Sequence, residues 1–421
     1  MMRVGSAKVD VTPPFTIPYL AYTPRHSYFE GVRDPLFARA LAVEAGDERL
    51  VIVSVDVLGF SRRVMGPGKD FVAEIRRRVQ AKTGIPEDRV MLAATHAHST
   101  PELCNLECLL DSPGAAAWLD VFADQIAAAV FIASRRLEPV VAKAGETTVD
   151  GVSMNRRKRG LGPVDRSLQV IAFERPDGSL HSALVNFACH PVSVQVQPLV
   201  SADYPGVACG LVESAFPGAM CLFLQGAAGD IDPLRGTSGF RDVDLYGRIV
   251  GGAAIQVAAR LLAPETPALG DDVKVKSQAV RLAGRPLPDP VGVREEREAA
   301  SQALERASSD AERRDAEHRL RVASYKARLL DVAVDPVESE IMAVRIGDAA
   351  ICGIPGELFT ELGTEIKQAS PARRTLVSTM TNDWIGYLAT RQAWSEGGYE
   401  VGPGPWCLVG PDGGPDIARH A

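Results

Sequence analysis

The sequence predicts an α/β fold: a layered domain of mixed sheets with a charged helical hairpin excursion. Three observations carry this. Short β-branched runs alternate with longer helical patterns, which favours sheets layered with helices over an all-β or bundle design. Hydrophobic residues make up 46% and charged residues 24% of the 421-residue chain, the averages of a globular protein, so disorder is excluded as the dominant state. One stretch, from Val291 to Ala333, departs from the rest in being dense in Arg, Glu and Ala.

In chain order, the apolar run Leu50–Leu58 reads as a strand, Lys69–Thr83 as a helix and Arg89–Ala94 as a buried strand. The Ala-rich segment Ala115–Arg135 reads as a second helix. Strands follow at Leu168–Phe173 and Ser182–Ala188, then a helix at Tyr204–Ala215, a strand at Ala219–Gln225 and a helix at Asp242–Leu261. Val273–Leu282, Glu340–Ile346, Ala349–Ile354 and Thr375–Met380 complete the strands, with a helix over Glu357–Gln368. No repeat shows at periods of roughly 20–50 residues. Within 291–333 the sequence Ser309-Asp310-Ala311-Glu312 fits a capping box, in which Ser and Glu satisfy reciprocal amide donors at a helix start. The segment therefore reads as two helices breaking near Ser308. It is either a solvated excursion or a lid or dimer contact, the latter allowing a homo-oligomer through 291–333.

Composition excludes some functions. With 46 Lys plus Arg against 53 Asp plus Glu, the net charge of −7 argues against nucleic-acid binding, which wants a basic footprint. No stretch reaches the run of about 18 uninterrupted apolar residues of a membrane span. Lys8, Asp10 and Pro13 interrupt any signal-peptide core. Seven scattered cysteines in apolar surroundings fit reduced thiols better than a disulfide framework. Together these predict a cytoplasmic location, unless an export signal has been removed.

Chemistry gathers in four places. In Ala94-Thr95-His96-Ala97-His98-Ser99 a buried strand delivers two histidines at i and i+2, on one face. Such pairs also occur as satisfied core histidines, but imidazole is the commonest neutral metal ligand and strand ends of α/β sheets host ligands. Asn186-Phe187-Ala188-Cys189-His190-Pro191 is a second strand ending in His. Two such ends, in a chain with only seven His, argue against coincidence, whereas His26, His181, His318 and His420 sit in polar, charged or terminal contexts. Gly229-Asp230-Ile231-Asp232-Pro233 presents two carboxylates after an apolar strand, as metal ligands, as acid/base groups or as ordinary turn caps. Finally, Pro355-Gly356-Glu357 places a carboxylate after a strand, where it reads as a residue of a helix's first turn. Trp384-Ile385-Gly386-Tyr387-Leu388-Ala389-Thr390 and Tyr399-Glu400 follow.

Taken together the set resembles the neutral ceramidase family. The matched pieces are Thr95-His96-x-His98-Ser99, Asn186-x-x-x-His190-Pro191, Ser201-x-Asp203, Gly229-Asp230, Pro355-Gly356-Glu357, Tyr387-x-x-Thr390 and Tyr399-Glu400, in family order from about residue 3 to 410. The resemblance implies one zinc ion held by His96, His190, Glu357 and Tyr387. It also implies that His98, Arg156 and Tyr399 line the reacting carbonyl. Two imidazoles and a carboxylate make a mixed N/O zinc site, and zinc would activate water and polarise an amide. On this reading residues 1–421 form one ceramidase-like catalytic domain with the 291–333 insertion and no C-terminal immunoglobulin-like domain. Its substrate is a lipid or smaller N-acyl compound.

One departure stands out. The family's serine after the Gly-Asp turn is Asp232 here, so a seryl nucleophile is excluded and Asp232 orients the water or acts as its base. A second metal near Asp230 and Asp232 is not favoured. Two other readings stay open: a metal-dependent hydrolase of an ester, lactone or phosphoester, and an inactive homologue that binds a ligand. Loss of the serine favours the latter; retention of every implied zinc ligand opposes it. A barrel amidohydrolase wants about four His and a bridging Lys, which the remaining histidines cannot supply.

Overall fold

The structure, a computed structural model, describes residues 1–18, 28–194 and 197–421; His26 lies outside the described residues. It is the mixed α/β arrangement expected. Its plan is one unit used three times, a repeat too long and too diverged to register in the sequence. In each unit three strands run antiparallel and a helix then crosses over to a fourth strand parallel to the third, as a parallel pairing requires. The first unit comprises Met2–Asp10, Phe37–Ala45, Glu48–Val55, the helix Phe71–Thr83 and Val90–Ala94. The second comprises Val141–Thr148, Ser167–Glu174, Leu180–Phe187, the helix Asp203–Ala215 and Met220–Gln225. The third comprises Val273–Leu282, Val337–Ile346, Ala349–Gly353, the helix Thr360–Ala369 and Arg374–Ser378.

Alternation along the strands then builds the interior. Leu41, Val43 and Ile52 of the first sheet, Ile171, Leu184 and Leu222 of the second, and Met342, Val344 and Ile351 of the third form one shared core. The opposite faces are covered by helices. Val51, Val53 and Leu92 pack with Phe71, Val72, Leu119 and Phe122, and Val170, Val185 and Phe223 pack with Cys209, Val250 and Val257. The helix Ala115–Ser134 is long and apolar enough to cross a membrane by composition. Its inner face is core, however, and Asp124 on its outer face pairs with Arg78 at 3.3 Å and Lys82 at 3.6 Å.

Buried polar ties join the three sheets in a ring. Ser54 Oγ of the first unit donates to Phe223 O of the second at 2.5 Å. Asn186 Nδ2 of the second donates to Leu224 O at 2.8 Å and to Val377 O of the third at 2.9 Å. Asn382, just past the third unit's last strand, closes the ring: its Oδ1 accepts from Leu92 N and its own N donates to Leu92 O, both at 2.8 Å. Each unit thereby has the carboxyl ends of its parallel strands directed to the same region, the place where α/β sheets hold ligands.

The charged excursion is a helical hairpin, Pro290–Arg306 and Asp310–Val332, and Ser309 and Glu312 form the expected capping box. Its second helix does more than face solvent. Arg328 donates to Asn105 O at 3.2 Å and to Leu106 O at 3.2 Å, and Tyr325 packs edge-on to Trp406 with ring centroids 4.8 Å apart. Two sequence expectations need correction here. Glu357 is not in a helix's first turn but in the two-residue strand Glu357–Leu358, because Glu357 pairs in parallel with Tyr387 and the helix starts only at Thr360. His96 and His98 are not on the strand, which ends at Ala94; His96 has a left-handed backbone, φ 67.

Asn186→Leu tests the ring directly. It strands two buried carbonyls, each unmade bond costing about 1–3 kcal/mol, so urea denaturation should show a loss of roughly 2–4 kcal/mol. A loss below about 0.5 kcal/mol would mean that the sheets are held by apolar packing alone.

Candidate active site

Loops from all three units meet at one pocket. Its lining includes Leu58, His96 and His98 from the first, Arg156, His190, Asp232 and Arg235 from the second, and Glu357, Trp384, Tyr387, Tyr399 and Trp406 from the third, around a cavity of about 230 Å³. His96, His98, Arg156, His190, Asp232, Glu357, Tyr387 and Tyr399 all line it, as the resemblance implies, whereas Asp230 is not among its lining residues.

His96 and His190 are held alike. The Nδ1–H of His96 donates to Leu58 O at 2.6 Å, and that of His190 to Ala228 O at 2.7 Å. A ring nitrogen that donates to a carbonyl fixes the tautomer and turns the other nitrogen's lone pair outward. The two Nε2 atoms then face each other 3.0 Å apart, too close for two lone pairs with nothing between them. Glu357 Oε2 lies 3.5 Å from the first and 3.2 Å from the second and has no donor, whereas its Oε1 accepts from Trp384 Nε1 at 3.0 Å. Burial would raise the Glu357 carboxyl, but the positive charge and hydrogen bonds that His96 and His190 offer when protonated hold it well below the ordinary carboxylate range. Burial lowers His190, helped by the charge of Arg156. A carboxylate oxygen and two imidazole nitrogens, all buried and aimed at one point, are a donor set that could hold a dication. His98 belongs to the same group: ligand atoms of His96, His98 and His190 lie within 4.8 Å of one another.

The left-handed turn at His96 is what makes this convergence possible. It bends the chain so that the rings of His96 and His98 meet edge-on with centroids 4.9 Å apart. A non-glycine residue in that conformation is uncommon and marks a site where strain serves function. Gly229 serves the same end by its size: a Cβ there would come within 2.4 Å of Glu357 O. Tyr387, beside Glu357 on the short parallel ladder, is buried, which raises its hydroxyl well above the usual phenol range and keeps it neutral.

Around this core lies a lattice of charge. Arg156 donates from Nε to Glu400 Oε1 at 2.8 Å, from Nη1 to Asp232 Oδ1 at 3.2 Å and from Nη2 to Gly229 O at 2.7 Å. Its guanidinium sits 5.4 Å over the Tyr387 ring. Asp232 is clamped on its other oxygen by Arg235. Burial would raise this carboxyl, yet Arg156, His190 and Arg235 together lower it, so its chemistry is to hold the two arginines in place rather than to take a proton. Asp230 points elsewhere: Oδ2 accepts from Asn155 Nδ2 and Oδ1 from Thr360 N, each at 2.8 Å, securing the start of a helix. Both oxygens of each carboxylate are engaged, which leaves a second metal no obvious ligand pair. Tyr399 is 57% exposed and stacks on Trp406 at 4.7 Å, at the rim. Of the other histidines, His181 is buried beside Ser182 and shifted to about 4 by burial, and His318 and His420 bond only to surface side chains.

Three participants escape sequence reasoning about single motifs. Trp384 and Arg235 hold site carboxylates, and only proximity in space reveals that; Arg235's position three residues after Asp232 is a signal visible in retrospect. Glu102 is the third. It is fully buried and organises the loop that carries Leu106, accepting from Glu107 N at 3.3 Å.

The sequence and the fold can be set beside known proteins. Residues 2–236, more than half the chain, match the family model described as neutral/alkaline non-lysosomal ceramidase, N-terminal. The structure superposes on the neutral ceramidase of Pseudomonas aeruginosa with a TM-score of 0.75 at 19% identity, covering 100% of this chain and 73% of that one. A ceramidase complexed with C2 gives a TM-score of 0.74, also at 19% identity, covering 99% and 74%.

The Glu102 carboxyl gives a pH test. Burial raises it from 4.5 to about 7, against the pull of the Glu107, Leu106 and Cys104 amides and Arg328. A raised folded value favours the protonated form, so its stabilisation is complete below about 4.5 and is lost as pH rises through 7. Glu102→Gln mimics the acid. Its stability relative to the parent should improve between pH 5 and pH 8 by something on the order of 1–3 kcal/mol; parallel profiles would contradict the assignment. The ordered motifs, the matched family model and the shared fold identify this chain as a member of the neutral/alkaline non-lysosomal ceramidase family.

Proposed function

We propose that this protein is a zinc-dependent hydrolase of N-acyl (amide) bonds. The observation that carries the reading is the pair of imidazole nitrogens 3.0 Å apart with an undonated carboxylate oxygen beside them, in a member of a family named for amide hydrolysis. His96, His190 and Glu357 would hold the metal, with Tyr387 as a weak fourth ligand. Zinc bound there supplies a lowered pKa to water and polarises a carbonyl.

The chain's own residues do the rest. His98 accepts a proton from the attacking water and returns it to the leaving nitrogen. Arg156 and Tyr399 donate hydrogen bonds to the acyl oxygen as negative charge develops on it. Asp232 and Glu400 fix the guanidinium of Arg156 from two sides, so its donors are oriented before the substrate arrives. The C–N bond breaks, hydroxyl passes to the acyl carbon and a proton to nitrogen, giving an acid and an amine. No serine is needed at position 232.

Purified protein should contain about one zinc per chain and cleave N-acyl substrates. Chelation should abolish that activity and added zinc restore it. His190→Ala should bind zinc at least about 100-fold more weakly, since two neutral nitrogens anchor the site. Chelator-insensitive turnover, or activity on phosphoesters alone, would overturn the reading.

A further inference from the structure

The pocket holds one cationic group more than positioning requires. Arg235 donates from Nη2 to Asp232 and from Nε to Val192 O at 3.2 Å. Its Nη1 has no protein acceptor among the described residues, although the side chain lines the cavity and is only 20% exposed. The charges nearby do not cancel it. Glu400 accepts from Arg156 and from Arg157 Nη1 at 2.6 Å, Asp232 accepts from Arg156 and Arg235, and Glu396 is taken by Lys158 at 2.9 Å with Arg157 at 3.5 Å. Asp232 and Glu400 thus face three guanidiniums, Arg156, Arg157 and Arg235. The donor left over belongs to Arg235, whose side chain lines the cavity.

A partly desolvated guanidinium donor calls for an anionic acceptor, because leaving it unmatched against substrate costs binding energy. An uncharged diol would meet it only with a neutral acceptor, about half as strong as a carboxylate, and a hydrocarbon head group would not meet it at all. Size points the same way. At about 230 Å³ the cavity is below the roughly 300–1,000 Å³ of sites that enclose drug-sized ligands. Leu106 and Trp406, which the hairpin helix supports through Arg328 and Tyr325, are part of its lining.

Building on the N-acyl hydrolase reading, we propose that the substrate is an N-acyl amino acid with a short acyl chain. Its carboxylate is received by Arg235 Nη1 and its scissile carbonyl lies toward His96, His190 and Glu357. Water adds across the amide C–N bond, releasing a short-chain acid and a free amino acid whose carboxylate never changes its bonding. Arg235 is then the residue that sets specificity.

Binding and turnover are measured separately to test this. The probes are ketone isosteres of N-hexanoylglycine and of N-hexanoylglycinamide in which CH2 replaces the scissile NH, so neither is consumed. By calorimetry with the full chain, the carboxylate probe should bind about 10- to 100-fold more tightly than the neutral one, the worth of a charge-assisted hydrogen bond. That ratio should fall toward one in Arg235→Met and largely survive in Arg235→Lys, which keeps the charge. Equal binding of the two probes by the parent protein, or an unchanged ratio in Arg235→Met, overturns the proposal. Should Arg235→Met not fold, the parent ratio and the Lys variant still decide it. Hydrolysis of N-hexanoylglycine itself reports on the other reading: preferential binding without turnover would leave the carboxylate subsite standing and refute the amidase.

Discussion

Two lone pairs and a carboxylate oxygen directed at the same buried point are the constraint on which this molecule turns. Each of His96 and His190 is locked by a backbone carbonyl behind it, and Glu357 by the indole of Trp384. None can rotate away without giving up a buried hydrogen bond. Left as they are, the three atoms repel one another in a medium where electrostatics is poorly screened. A cation converts that repulsion into attraction. The same logic explains the surrounding guanidiniums, which pair with the remaining carboxylates and so would keep them from competing for such an ion.

The threefold architecture is how the chain arrives at that point. One unit supplies His96 and His98, another His190 and Asp232, and the third Glu357 and Tyr387, each from the loops after its parallel strands. No unit holds the site alone. The buried ties through Ser54, Asn186 and Asn382 fix the sheets against one another, and that fixation sets the distance between His96, His190 and Glu357, which lie far apart in sequence. Rigidity of this kind is what a site accurate to a few tenths of an ångström requires. The hairpin of 290–332 stands outside the repeat and acts on the pocket only through its rim.

Which parts could be read beforehand follows from burial. The parallel strands Glu48–Val55 and Val90–Ala94 are nearly all buried, so both stand out as apolar runs. Met2–Asp10 and Val141–Thr148 expose one face and carry Lys, Asp, Glu and Thr, and they leave no comparable run to find. The repeat was hidden because its units share topology while the connection between their first two strands varies widely in length. Among site residues, His96 and His190 were legible because each follows a strand-like run with a polar residue that such runs rarely hold, whereas Glu357 read alone as a helix's first-turn residue and entered the site only through the family resemblance. The left-handed turn at His96 was not, since a histidine gives no sign of its φ. Nor was Arg235: that it clamps Asp232 and faces the pocket depends on folding back across the Val192 loop.

Crystals of the full chain grown with zinc, with diffraction recorded on both sides of the zinc absorption edge, test the central claim most directly. A single strong anomalous peak is expected between the three atoms, at about 2.0–2.2 Å from His96 Nε2, His190 Nε2 and Glu357 Oε2, with no peak at Asp230. Zinc absent from that position, or held by a different set of residues, would contradict it.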